Sequence, residues 1–245
     1  MTGRGWIGVV AALPEEIRPF QQRLEKTQRV RLSTKRALQG SLGEMRIVTL
    51  ATGDGSERAR RGLADLLSHF DLRSVIAIGI AGGLSADLEV GDVVAASRVT
   101  NGSGDVPPPD GGLLARALEL EGVTDGSIYS HCEIAVDPVA KKRLWQLAGS
   151  RAAQVVDLET ASYARAAAAE RVPYAALRAV SDSSTEALPL DFNRFRKRDG
   201  SSDRYRVSRY ALLHPSIVPE LMQLRERLRL CANRLAILVE EILSQ

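Results

Sequence analysis

Cysteine, histidine and aromatic residues are scarce in this chain of 245 residues, and each scarcity excludes a class of function. The two cysteines, Cys132 and Cys231, can form no disulfide framework, which fits a reducing compartment and makes the cytoplasm the expected location. The three histidines, His69, His131 and His214, have no metal-ligand spacing with one another or with the cysteines, so no metal is expected. No apolar run approaches the roughly 18 residues of a membrane span. Met1 to Trp6 lacks the apolar centre of a signal peptide. Neither a Gly-x-Ser-x-Gly elbow nor a Walker loop is present. Excess charge is missing too: 33 basic against 30 acidic side chains leave +3, too little to imply nucleic-acid binding by the whole chain. A local basic surface is expected around Arg194, Arg196, Lys197, Arg198, Arg204, Arg206 and Arg209.

Strand-like and helix-like segments alternate. Trp6 to Ala12 reads as a buried strand, and Pro14 opens a helix with Glu15 and Glu16 in its first turn, the end that favours acids. Strands are expected over 44–52, 74–80, 91–98, 127–136, 154–157 and 174–181. Helices are expected over 56–70, 138–147 and 161–171. Asn101 to Gly112, rich in proline and glycine, reads as a loop. This alternation predicts one α/β domain over residues 1–245, three layers with a mixed central sheet and helices on both faces. At the end of the chain Leu221, Leu224, Leu228, Cys231, Leu235, Leu238 and Ile242 are spaced by three and four. They form one apolar stripe on a long amphipathic helix over about 216–243. Packing on its own sheet is the favoured use of that stripe. A subunit interface or contact with a membrane surface is the alternative, because Arg225, Arg227, Arg229 and Arg234 flank it.

The chemistry concentrates in Val156-Asp157-Leu158-Glu159 and Arg178-Ala179-Val180-Ser181-Asp182. Each segment ends an apolar run in an acid, with an Ala-rich helix between them. Two buried carboxyls at neighbouring strand ends suit cleavage of a glycosidic bond. One can hold the sugar and favour its developing positive charge, and the other can hold a proton for the leaving group. Plainer readings exist for each. Asp182 could cap a turn, Asp157 or Glu159 could cap the Ala-rich helix, and Glu16 could be an ordinary helix start. Gly53 and Gly55 precede a helix whose N-terminus could bind an anion, but Arg58 replaces the third glycine of a dinucleotide fingerprint.

Four segments in order resemble the nucleoside phosphorylase/nucleosidase superfamily, and most closely its methylthioadenosine/S-adenosylhomocysteine nucleosidase-like members. They are Ile7-Gly8-Val9-Val10-Ala11-Ala12-Leu13-Pro14-Glu15-Glu16, Gly79-Ile80-Ala81-Gly82-Gly83-Leu84 with Val90-Gly91-Asp92-Val93-Val94, and the two acidic segments. The resemblance spans roughly residues 6–185. It implies Asp182 as the proton donor to the adenine leaving group and Glu16 as the base that activates water. It implies Glu159 as the ribose ligand, with Leu158, Arg178, Ser181, Gly82 and Ile134 as further substrate-binding residues. Leu158 stands where the family usually has Met, and Ile80 where it usually has Ser. Arg178 would orient the acids or bind an anion. Gly79, Gly82 and Gly83 would let backbone approach the ribose.

The implied reaction releases adenine from methylthioadenosine, S-adenosylhomocysteine or a lipid-linked adenosine. Hydrolysis is favoured over phosphorolysis, and a non-catalytic nucleoside-binding module is the competing class. No cofactor is implied, and phosphate enters only as a candidate co-substrate, with Arg58 as a candidate ligand for it. The partner is a small-molecule adenine nucleoside, not nucleic acid, and a homodimer or larger assembly is implied. The tail, with Leu188-Pro189-Leu190-Asp191-Phe192 and its basic stretch, resembles that of hopanoid-associated phosphorylases. A peripheral membrane contact would accompany a lipid-linked substrate.

Overall fold

The computed structural model describes residues 5–104, 106–197 and 201–245. Nine strands form one mixed sheet. The strands are β1 Trp6–Ala11, β2 Glu25–Arg31, β3 Arg36–Leu42, β4 Met45–Ala51, β5 Leu72–Gly83, β6 Val93–Thr100, β7 Val123–Ser130, β8 Gln154–Asp157 and β9 Tyr174–Asp182. Their order is β2-β3-β4-β1-β5-β8-β7-β6-β9, and β9 also pairs with β5. Strand β5 makes the ring possible because it is long enough to hold two partners. It runs parallel to β9 from Val75 to Gly82, then antiparallel to β8 at Gly82 and Gly83. Strands β5, β8, β7, β6 and β9 therefore close on themselves, while β1, β4, β3 and β2 extend as an open wing.

The α-helices are α1 Pro14–Gln21, α2 Ser56–His69, α3 Gly111–Leu118, α4 Pro138–Leu147, α5 Thr160–Ala169, α6 Arg204–Leu213 and α7 Val218–Ser244. Helices α2 and α5 cover one face through Leu63, Leu66, Tyr163 and Ala164. Helices α1 and α7 cover the other through Ile17, Phe20, Leu235 and Leu238. Burial of each such Leu or Ile stabilises the fold by roughly 1.5–3 kcal/mol. Strand β9 is buried along its whole length, as expected of a strand covered on both faces.

Several elements depart from the sequence reading. Strand β7 starts at Val123 and stops at Ser130, earlier than the 127–136 expected. It pairs with β6 from Val123 to Tyr129, and its last four residues also pair with β8. The β2–β3 hairpin was not foreseen because β2, Glu-Lys-Thr-Gln-Arg-Val-Arg, is almost entirely exposed and carries no apolar alternation. Helix α6 was missed for the same reason, since none of its residues is buried. Helix α3 starts inside the loop expected over 101–112 and runs past its end to Leu118. In α7 the stripe divides: Cys231, Leu235, Leu238 and Ile242 are buried against the domain, whereas Leu221, Leu224 and Leu228 are only partly covered.

Candidate active site

Glu16 stands where β1 stops pairing with β5. The last pair in that register is Val10 with Ala77, so the Ile80 amide further along has no β1 partner, and Glu16 Oε1 accepts from it at 3.0 Å. Oε2 accepts from the Leu13 amide at 2.7 Å. This second bond is the ordinary N-terminal one, so the helix-start reading and the site reading hold together. The side chain is buried, and burial raises its pKa against the pull of the two N–H donors and Arg178.

Asp157 and Arg178 form a closed network beneath this position. Asp157 Oδ1 accepts from Ser130 Oγ at 2.6 Å. Oδ2 accepts from the Thr160 amide at 3.0 Å and the Thr160 hydroxyl at 2.5 Å. The Ala161 amide donates to Ser130 Oγ at 2.9 Å. Asp157, with Ser130, is therefore the cap of α5. Arg178 donates through Nε to Asp157 Oδ2 at 3.0 Å, and its Nη2 pairs with the same oxygen at 2.9 Å. Its Nη1 donates to the carbonyls of Ala77 and Leu177, and its Nη2 to Thr160 Oγ1. These hydrogen bonds engage four of the five guanidinium protons. Arg178, expected to orient the acids or bind an anion, holds Asp157 and the start of α5 in place. Burial would lower its pKa, but Asp157, then Glu159 and Glu16, more than reverse this, so it stays charged. Gly79 makes room for it: a Cβ there would lie 3.3 Å from the guanidinium carbon.

Glu159 lies two residues beyond Asp157 and does not cap α5 with its side chain. Its Oε1 instead accepts from the Gly55 amide at 2.7 Å, in the loop after β4. Gly55 has φ +92°, a backbone that glycine adopts without strain. Burial, then the charge of Asp157, push the Glu159 pKa up to about 8. Glu16 and Arg178 also lie close enough to bias its ionisation, so the three groups are neighbours.

Asp182 ends β9 opposite Gly82, two residues beyond Ile80 on β5 and so on the same face. A Cβ on Gly82 would lie 3.2 Å from Asp182 Oδ2. The glycine therefore makes room for the carboxyl, a use other than the approach to ribose expected of it. Ser181 Oγ donates to Oδ1 at 2.5 Å. Lys141 Nζ lies 2.5 Å from Oδ2, and the lysine side chain is wholly buried. No reading of the sequence placed Lys141 here, because Lys141-Lys142-Arg143 looks like a solvated turn of helix. The available signal was its position, three residues into a helix that begins Asp137-Pro138.

The other candidates are more loosely associated with these acids. Leu158 is half-buried between the two acids of its segment. Ile134 is held by Asn193: its amide donates to Asn193 Oδ1, and its carbonyl accepts from Nδ2, both at 2.9 Å. Arg58 and Lys35 stand together beside Gly53, and burial, then Arg58, lower the Lys35 pKa. A cavity of 490 Å³ lies elsewhere, between the end of β6 and α4, and none of the acids lines it. Among the described residues no group of His, Cys, Asp and Glu could hold a metal ion.

Residues 7–204 match the family described as the phosphorylase superfamily. The chain belongs to the phosphorylase superfamily. A relative from an Exiguobacterium strain, named 5′-methylthioadenosine/S-adenosylhomocysteine nucleosidase, is 26% identical over 77% of this chain and 90% of its own. A protein of the same name from Chromohalobacter salexigens is 28% identical over 77% and 89%. The solved structure of the Neisseria meningitidis nucleosidase of that name, in complex with methylthio-immucillin-A, superposes with a TM-score of 0.77. It covers 98% of both chains at 23% identity, a likeness that establishes the shared fold. The expected superfamily and three-layer mixed fold are those observed.

Proposed function

We propose that this phosphorylase-superfamily member is a nucleosidase that hydrolyses the N-glycosidic bond of an adenine nucleoside, of the methylthioadenosine or S-adenosylhomocysteine type, and releases adenine. The observation that carries this reading is Glu16. It is a buried carboxyl fixed by two backbone N–H groups, with its pKa raised by burial, next to an arginine whose donors are mostly engaged. Such a group can take a proton from water. A phosphate nucleophile would need several free N–H donors, and Arg178, the cation beside Glu16, spends most of its own on Asp157, Thr160 and two carbonyls. Glu159 takes the ribose hydroxyls. Asp182 serves the purine N7, so that adenine need not depart as an anion. The 28% identical relative of the same name supports the substrate class. The reading requires no metal or cofactor, so chelators leave turnover unchanged.

The test is release of free adenine from methylthioadenosine, with and without inorganic phosphate. Release in both conditions supports hydrolysis with Glu16 as base. Release only with phosphate makes the protein a phosphorylase and removes Glu16 from that role. Binding without release makes it a nucleoside-binding module.

A second, finer reading rests on α6, where Tyr205, Leu212 and Leu213 are exposed beside arginines. That surface suits contact with an anionic membrane and a lipid-linked adenosine as substrate. Failure to sediment with anionic liposomes removes it. Of the basic stretch named above, Arg198 lies outside the described residues. A homodimer is also proposed, supported by the exposed Val139 and Leu147 of α4, and its mass in light scattering decides it. Among the described residues no helix is long and apolar enough to cross a membrane.

A further inference from the structure

Helix α5 is tied to the turn after β4 at two points, one helical turn apart. At its start, Glu159 Oε1 accepts from the Gly55 amide at 2.7 Å. One turn on, where the Tyr163 amide donates to the Glu159 carbonyl, the Tyr163 hydroxyl lies 2.6 Å from Thr52 Oγ1. Tyr163 and Thr52 are wholly buried. The direction of their bond follows from its neighbours. Thr52 Oγ1 donates toward the carbonyls of Ala11 and Gly53, each at 3.2 Å, and carbonyls only accept. Its single proton is used there, so the Tyr163 hydroxyl is the donor to Thr52. Burial, then the charge of Glu159, hold the phenol well above its usual pKa, so it remains a donor. Thr52 is a firm anchor: its amide donates to the Ala11 carbonyl at 2.9 Å, and α2 passes so close that a Cβ on Gly62 would lie 2.8 Å from it. Beyond Thr52 the turn is freer, since Gly53 and Gly55 have φ +88° and +92°, and its position depends on the contacts that hold it.

We infer that Tyr163 is a positioning residue for Glu159, and through Glu159 for the sugar of the substrate. The inference deepens the nucleosidase reading and rests on the part of it that gives Glu159 the ribose hydroxyls. With Oε1 given to the Gly55 amide, a hydroxyl is met by Oε2, and the direction of Oε2 depends on where Gly55 stands. The Tyr163–Thr52 bond ties that turn to the same helix that begins at Glu159, so the acid and its donor keep one spacing. Without the bond, one of the two polar ties is gone and the carboxyl gains freedom to turn. The base, which the same reading gives to Asp182 at the end of β9, is outside this clamp.

The experiment measures by calorimetry how wild type, Tyr163→Phe, Glu159→Ala and the double variant bind two ligands. Methylthio-immucillin-A carries a ribose-like ring with hydroxyls, and adenine carries no sugar. Phenylalanine keeps the ring, and Thr52 keeps its carbonyl acceptors, so no buried donor is orphaned. Tyr163→Phe is expected to weaken methylthio-immucillin-A roughly fivefold, the scale of one net hydrogen bond, and to leave adenine unchanged. The double variant should bind methylthio-immucillin-A as Glu159→Ala does, because residues that act through one another are not additive. Undiminished binding of methylthio-immucillin-A by Tyr163→Phe overturns the inference. Equal weakening of both ligands also overturns it, because Tyr163 would then serve only the fold. A further loss in the double variant overturns it too, because Tyr163 would then act by a route other than Glu159. Wild type that binds neither ligand overturns the nucleosidase reading, and this inference with it. Wild type that binds both but releases no adenine from methylthioadenosine overturns the reading of turnover, while the binding pattern still decides the role of Tyr163.

Discussion

Asp157 and Glu159 end the same strand two residues apart, and the structure treats them in opposite ways. Asp157 receives donors from Ser130, Thr160 and Arg178 and is closed off from any ligand. Glu159 receives one backbone N–H and holds its pKa near 8. The same division runs through the whole site. Around Arg178 most donors and acceptors are matched within the protein, which yields rigidity. Around Glu16, Glu159 and Asp182 the carboxyls are fixed by a few donors each and keep capacity for a substrate. Buried acids with few partners have perturbed ionisation, and perturbed ionisation is what acid–base chemistry uses.

The sharpest test of this division is Asp157→Ala. It strands the buried Arg178 charge and is expected to cost about 3–5 kcal/mol of stability, read as the midpoint of urea unfolding. Unfolding at the wild-type midpoint would erase the distinction between the two acids. Asp182→Asn should lower kcat on methylthioadenosine on the order of a thousandfold, and it should lower the midpoint as well, because the buried Lys141 loses its ion-pair partner. Equal activity would remove the proton donor. Glu16→Gln should lower kcat by roughly a hundredfold without weakening adenine binding, measured by calorimetry.

Glu159 makes a smaller, pH-dependent difference. Its folded pKa of about 8 lies above the ordinary glutamate value, so between the two values the folded state holds a proton that the unfolded state has lost. Stability from this group is complete at acid pH and falls as pH rises toward 8, by about 1 kcal/mol per pH unit. Glu159→Gln should abolish that slope in melts from pH 5 to 8, and an unchanged slope would assign it elsewhere. At the bottom of the scale, Arg229→Ala removes an exposed pair with Glu226 and should leave the melting midpoint unmoved.

Much of the site could be read in the sequence because strand ends carry their own markers. Glu16, Glu159 and Asp182 each follow an apolar run, and burial at a strand end follows from that pattern. Arg178 looked the same on the page, and only its five contacts show that it serves the scaffold. Lys141 was illegible, because a lysine three residues into a helix reads as solvated until the chain after β9 folds over it. Strand β2 and helix α6 escaped notice because their residues stay largely exposed, and exposed elements need no apolar period.

By itself, then, the sequence determined the alternation of strands and helices, the three-layer class and the acids at the strand ends, since local hydrophobic period specifies these. Only the tertiary structure decided which acid is matched and which is left free, the closure of β5 against both β8 and β9, and the lysine beside Asp182. Those outcomes depend on contacts between residues far apart in the chain, where hydrogen-bond partners are set by packing and not by neighbours in sequence.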